Sequence, residues 1–327
     1  MKKIINNPND VVKDMLKGME LTHKELKYTP ELEVISKNEK CEKVGLVSGG
    51  GSGHEPAHAG YVGYGMLDAA VCGNVFASPS PDRILKGIEE ADTGKGVLLI
   101  VKNYSGDIMN FEMAKDLCEL DEDMIDMVIV RDDVAMEDSD FSTGRRGISG
   151  TVFVHKIAGA MSQRGGSLVE VKRIAQKTID NVRSMGMSMS SCIIPAVGKA
   201  GFEIEENEIE VGMGIHGEAG IYKKPLMSAK ELAKELVEKI TDDLDYTNSD
   251  VALMINGLGA TPLMELYIMS KEVIELLENK NIHPYKVLVG NFMTALEMAG
   301  CSVSILKLDD ELKGLLDDKC NTPAMKN

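Results

Sequence analysis

The sequence is short of positive charge. Its 36 Lys and Arg residues stand against 52 Asp and Glu, a formal net charge of −16 over 327 residues. A surface that acidic repels phosphate backbones and anionic lipid headgroups, which makes nucleic acid and membrane poor candidates for the main partner. Long apolar runs are missing as well. None approaches the roughly 18 residues that a membrane span needs. The opening MKKIINNPND leads into polar sequence and not into a signal-peptide core. Cysteine is sparse: Cys41, Cys72, Cys118, Cys192, Cys301 and Cys320 form no CxxC pair and no metal-ligand spacing. That scatter reads as reduced, mostly buried thiols in a cytoplasm. No low-complexity linker and no repeat of about 20–50 residues appears.

What is present is an ordinary globular balance, 43% hydrophobic and 27% charged, long enough for about two domains. In the first half, Val44–Val47, Val97–Val101 and Ile125–Val130 read as strands, the last two nearly continuous in apolar character and so of the kind buried on both faces of a sheet. Helices are expected after Asn7-Pro8, from Pro81 through Glu90, over Phe111–Leu120, and over Thr151–Met161 and Val169–Met185. A second series follows. Ser191–Val197, Glu208–Met213, Val251–Asn256, Val287–Gly290 and Val303–Leu306 read as strands, and Ser228-Ala-Lys-Glu231 is a capping box opening a helix to about Ile240. Thr261-Pro262 caps the helix after it. Alternating strands and helices imply two α/β domains, residues 1–185 and 186–327, each a mixed β-sheet flanked by helices, with a functional site in the cleft between them. The 21 methionines are core filler at helical spacing.

Three polar clusters follow strands, where α/β folds place ligands. Ser48-Gly-Gly-Gly-Ser-Gly-His-Glu-Pro56 fails the P-loop test, having no Lys-Ser or Lys-Thr after its glycines, and fails the dinucleotide spacing because His54 or Pro56 occupies the third glycine position. It is either a tight turn or a ligand loop, and His54 with His58 four residues on favours the ligand loop, although no third ligand completes a zinc set. Gly212-Met-Gly-Ile-His-Gly217 matches Gly-x-Gly-x-x-Gly formally, but no helix opens at its last glycine; Glu218 to Pro225 continues as loop. What remains is His216 on a glycine-flanked turn. Lys102-Asn-Tyr-Ser-Gly-Asp107 supplies a lysine and a carboxylate, or only turn residues bonding their own backbone. The Gly144-Arg-Arg-Gly147 arginines read as a solvated face or ion pairs, and His23, His155 and His283 as structural. Asn256-Gly-Leu-Gly-Ala-Thr-Pro262 has glycines and a cap but no general acid or base.

In that order, Gly49–His58, Gly73–Phe76, Lys102–Asp107, Gly144–Gly147, Gly214–Gly217, Asn256–Gly259 and Met293–Gly300 resemble the dihydroxyacetone kinase family, in its substrate-binding K subunit or domain, almost end to end. The resemblance implies that His216 forms a covalent hemiaminal with the ketone carbon of dihydroxyacetone, that His54 acts as acid/base beside it, and that Asp107 deprotonates the hydroxyl that accepts phosphate. Lys102 and the backbone of Gly51, Ser52 and Gly53 would bind substrate. No metal or cofactor is expected on this chain. The resemblance implies the split system, with ADP or ATP and Mg on a separate L subunit, a phosphotransferase-system M subunit as the phosphate source, and a cytoplasmic homodimer of this chain. The alternative is a dihydroxyacetone-sensing paralogue that serves as a transcriptional coactivator without turnover. The family commonly has Gly-Glu-Pro-Gly after the covalent histidine, whereas this chain has Gly217-Glu-Ala-Gly220, a change that bears on loop rigidity and not on the reacting groups.

Overall fold

An uninterrupted apolar run has no polar face to give to water, so Val97–Lys102 belongs in the middle of a sheet. In the computed structural model, which describes residues 2–136, 144–218 and 220–327, it does: every residue of that strand is buried. In chain order the first half comprises α1 (Val11–Thr22), β1 (Leu26–Thr29), β2 (Val34–Lys37), β3 (Gly45–Ser52), β4 (Ala69–Val75), α2 (Pro81–Ala91), β5 (Val97–Lys102), α3 (Ser105–Leu117), β6 (Ile125–Val130), α4 (Thr151–Gln163) and α5 (Leu168–Asn181). The second comprises β7 (Val182–Ser188), β8 (Glu208–Val211), β9 (Tyr222–Pro225), α6 (Ala229–Asp243), β10 (Asp250–Gly257), α7 (Leu263–Asn279), β11 (His283–Gly290), β12 (Gly300–Leu308) and α8 (Asp310–Asp317). The strands form two six-stranded mixed sheets, in the orders β1-β2-β4-β3-β5-β6 and β11-β10-β12-β7-β8-β9. Pairing is parallel among β4, β3, β5 and β6. It is antiparallel through β10, β12, β7, β8 and β9.

Several local expectations change. The glycine run is strand and not turn: β3 continues from Gly45 to Ser52, fully buried. Its glycines are needed because a Cβ on Gly49 would lie 2.4 Å from the Val71 carbonyl oxygen, and one on Gly51 would lie 2.6 Å from the Ala77 nitrogen. His54 and His58 are therefore not one face of a helix; they lie in the chain leaving β3. The helix expected over Val169–Met185 stops at Asn181, and Val182–Ser188 pairs with β12 instead. The second sheet thus begins at Val182, so the boundary expected after residue 185 runs through β7. Ser191–Val197 is irregular, with a lone bridge from Ile193 to Ala200. Tyr222–Pro225, expected as loop, pairs with β8. The capping box at α6 is present, Ser228 Oγ accepting from the Glu231 N–H while the Glu231 carboxylate accepts from the Ser228 N–H.

One hydrophobic core runs across both halves. It joins Leu46 and Ile100 of the first sheet to Leu306 of the second through α4, and reaches Leu312 and Leu316 of α8. The C-terminal segment also returns to the first half, where the Asn321 and Tyr64 backbones bond to each other and Ala324 N–H donates to the Gly60 carbonyl. Separate cores lie around β10 and α7 and around β3, β5 and α2. Among the described residues no helix is long and apolar enough to cross a membrane.

Candidate active site

The parallel strands of the first sheet end together, and each delivers a polar or aromatic group there. β3 leads into Gly53 and His54, β4 into Phe76, and β5 ends on Lys102. The chain then passes Tyr104, the cap of α3, and places Asp107 in the first turn of that helix, beside the positive end of its dipole. The second half contributes the turn after β8, which carries His216, and the β11–β12 connection, which carries Thr294.

These groups meet. The His54 and His216 rings are edge to face, centroids 4.8 Å apart. Phe76 stacks on His54 at 5.2 Å, and Tyr104 stands edge-on to His216 at 4.2 Å. His54, Lys102 and Asp107 are buried and His216 is half-buried. Phe76 and Leu296, which flank Gly53, both adopt left-handed backbone angles, with φ of 56° and 55°. Such angles cost bulky side chains about 1–3 kcal/mol and cluster at functional sites. Four buried polar atoms here have no hydrogen-bond partner among the described residues: His54 Nε2, both carboxylate oxygens of Asp107 and the Tyr104 hydroxyl. Unpaired buried polar atoms are rare and call for a ligand or a water.

The electrostatics keep the imidazoles neutral. Burial, with Lys102 and Arg146 nearby, pushes His216 down to about 3. Burial, then His216 and Lys102, holds His54 well below the ordinary histidine range. Burial likewise keeps the Tyr104 phenol protonated. Lys102 is pushed down by burial against the opposing pull of Asp107, whose Oδ2 lies 3.7 Å from Nζ, an ion pair too long for a hydrogen bond.

Two further sets were not legible as functional in the sequence. Lys102 Nζ bonds to His58 Nε2 at 3.0 Å, and His58 Nδ1 to His155 Nε2 at 2.9 Å. A charged lysine only donates, so His58 accepts at Nε2 and passes a donor on to His155. His155, expected to be merely structural, therefore ends a buried chain that begins at Lys102. The second set surrounds Arg146, which is ion-paired, the second of the two readings given to this arginine pair. Nη2 donates to the Gly212 carbonyl at 2.8 Å, Nη1 reaches Glu218 at 3.3 Å, and Nε is held by Asp133 at 2.8 Å. Glu218 in turn accepts the His216 N–H at 2.7 Å. One guanidinium thus ties both ends of the turn that presents His216. Arg145 pairs with Asp243. Ala219, which stands where the family has proline, lies outside the described residues.

Five surface cavities lie elsewhere, one of them between Val152, Lys156 and Lys286, and none of the five is lined by His54, Asp107 or His216. Among the described residues no three His, Cys, Asp or Glu side chains are grouped to hold a metal.

Residues 17–324 match the family model described as the Dak1 domain. The chain is 53% identical over 314 residues to the dihydroxyacetone-binding subunit DhaK of a PTS-dependent dihydroxyacetone kinase from Listeria innocua, covering 95% of each chain. Its fold is similar to a crystal structure of the dihydroxyacetone kinase of C. freundii, with a TM-score of 0.89 at 34% identity, covering 99% of this chain and 60% of that one. It is also similar to the dihydroxyacetone kinase operon co-activator DhaQ, with a TM-score of 0.89 at 35% identity, covering 95% of this chain and 97% of that one.

Proposed function

The chain belongs to the Dak1 domain family, and on that premise we propose that it is the dihydroxyacetone-binding subunit of a kinase, capturing its substrate covalently on His216. A neutral imidazole nitrogen adds to the ketone carbon while the carbonyl π pair moves to oxygen. The other His216 nitrogen gives up its proton and the new alkoxide gains one, so a hemiaminal forms with no net change in protons; His54 moves the proton. Glycerol has no carbonyl and is excluded by chemistry and not by counting hydrogen bonds. Fixing one end of a three-carbon substrate leaves a hydroxyl for Asp107, beside Lys102, to hold and deprotonate as it attacks a phosphoryl group. Gly51, Ser52 and Gly53 supply the backbone wall.

The observation that carries this reading is the set of unpaired buried atoms grouped with His216. Three of them, His54 Nε2 and the Asp107 oxygens, await donors. Dihydroxyacetone brings two hydroxyl donors and one electrophilic carbon. The phosphoryl donor, a nucleotide with Mg, belongs to a partner L subunit recharged by a phosphotransferase-system M subunit. This chain works beside them as a cytoplasmic homodimer.

The test is intact-mass spectrometry with dihydroxyacetone, followed by reconstitution with L and M subunits and phosphoenolpyruvate. We expect one added substrate mass, lost in His216→Ala, and formation of dihydroxyacetone phosphate. Retention of full affinity by His216→Ala would overturn covalent capture. Adduct without product would move the chain to the sensing role of the coactivator, a more distant relative at 35% identity against 53% for the kinase subunit.

A further inference from the structure

Asn256 is buried at the end of β10, and all four hydrogen-bonding positions of its amide are filled. Its Oδ1 accepts the N–H groups of Phe292 and Met293 at 2.8 and 2.9 Å, and its Nδ2 donates to the Met293 carbonyl at 2.8 Å and to Ser302 Oγ at 3.0 Å. One side chain thereby clamps the start of the β11–β12 connection. The next residue, Thr294, grips the His54 segment of the other half. Thr294 N–H donates to the His54 carbonyl at 3.1 Å, and Thr294 Oγ1 donates to the Glu55 carbonyl at 2.8 Å. Leu296 N–H donates to the Gly53 carbonyl at 2.7 Å.

The contact that matters chemically is His54 Nδ1 to the Thr294 carbonyl oxygen, 2.8 Å. A carbonyl oxygen can only accept, so the His54 proton resides on Nδ1 and the unpartnered Nε2 of the neutral ring carries a bare lone pair. We infer that Asn256 is a positioning residue that acts through the Thr294 carbonyl to fix the His54 tautomer, so that His54 meets the substrate as a proton acceptor and not as a donor. The inference rests on the proposed role of His54 in hemiaminal formation and assigns the order of its proton steps. The partners of a catalytic imidazole set its tautomer and orientation in this way at many metal and triad sites.

The experiment is side-chain nitrogen NMR on the full chain labelled with ¹⁵N-histidine, with His54→Gln assigning the signals. The native chain should show His54 protonated at Nδ1 and bare at Nε2. Asn256→Asp keeps the acceptor but faces the Met293 carbonyl with a second oxygen. It should mix the two His54 tautomers and slow adduct formation by about tenfold to a hundredfold, while Ser302→Ala, which removes one of the four contacts, should keep the native tautomer. An Nε2-protonated His54 in the native chain overturns the inference, as does a folded Asn256→Asp chain with an unchanged tautomer. If Asn256→Asp does not fold by circular dichroism, Asn256→Ser is read by the same two outcomes. The tautomer is observed without substrate. A native Nδ1–H signal with no adduct therefore counts against covalent capture and not against the role of Asn256.

Discussion

Lowering the pH from 7 to 5 should destabilise this protein through imidazoles that cannot accept protons while it is folded. His155 and His216 are both pushed by burial from 6.5 down to about 3. A histidine depressed in this way contributes its full stability above the unfolded value. That stability is lost as pH falls through 6.5 toward 3, because the unfolded chain binds the proton first. At pH 5, about 1.5 units below the unfolded value, each group costs about 2 kcal/mol, so the pair costs about 4. His54 and His58 shift in the same direction. Asp133, raised by burial to about 6, opposes them and returns about 1 kcal/mol over the same interval. The decisive comparison uses His155→Gln, whose amide oxygen can still accept from His58. Urea unfolding of both chains at pH 7 and pH 5 gives two losses of stability. The loss for the native chain should exceed that for His155→Gln by about 2 kcal/mol. Equal losses in the two chains would refute the claim that His155 is held neutral by its surroundings.

Asp107→Asn should leave the substrate adduct intact, since the carboxylate takes no part in adding to the ketone. It should cut phosphorylated product in the reconstituted system by about 10²-fold or more, the usual cost of losing a general base. Gly51→Ala would put a methyl group 2.6 Å from the Ala77 nitrogen and 2.8 Å from the Phe76 Cα, backbone that cannot swing aside. We expect a loss of about 1–3 kcal/mol in stability and weaker dihydroxyacetone binding, by thermal unfolding and calorimetry. Arg146→Lys should remain folded by circular dichroism but cannot span Gly212, Glu218 and Asp133 at once. Each hydrogen bond to a charged group is worth about 1.5–3 kcal/mol, so mass-detected adduct should form at least about tenfold more slowly; an unchanged rate would show that the His216 turn needs no such tie.

Much of the architecture was legible because its signals are local. Continuous apolar strands, the Ser228–Glu231 capping box and Pro81 at a helix start report their conformation from a few neighbouring residues. The errors fall where a partner distant in sequence decides. Val182–Ser188 has helical spacing behind it but finds β12, and the glycine run from Gly49 looks like a turn but is a strand so closely covered by Val71 and Ala77 that side chains cannot fit. Asn256 and Thr294 carry no acid or base signal at all. Their importance comes from hydrogen bonds made at a distance in sequence, Asn256 holding the Met293 segment and the Thr294 carbonyl meeting His54 240 residues away.

The order of residue types alone settles which groups the site contains. It set an acidic chain, two imidazoles on glycine-flanked segments and a lysine and aspartate five residues apart, and their order along the chain carries the family. Which of these groups are chemically available follows from packing. Burial is a property of the packed molecule, and it is burial that strips the imidazoles of their protons, leaves the Asp107 oxygens and His54 Nε2 without partners, and separates His216 and His54 from His58 and His155 in role. A histidine in a string of letters can be acid, base, nucleophile or filler; the neighbours that choose among these come from the other half of the chain.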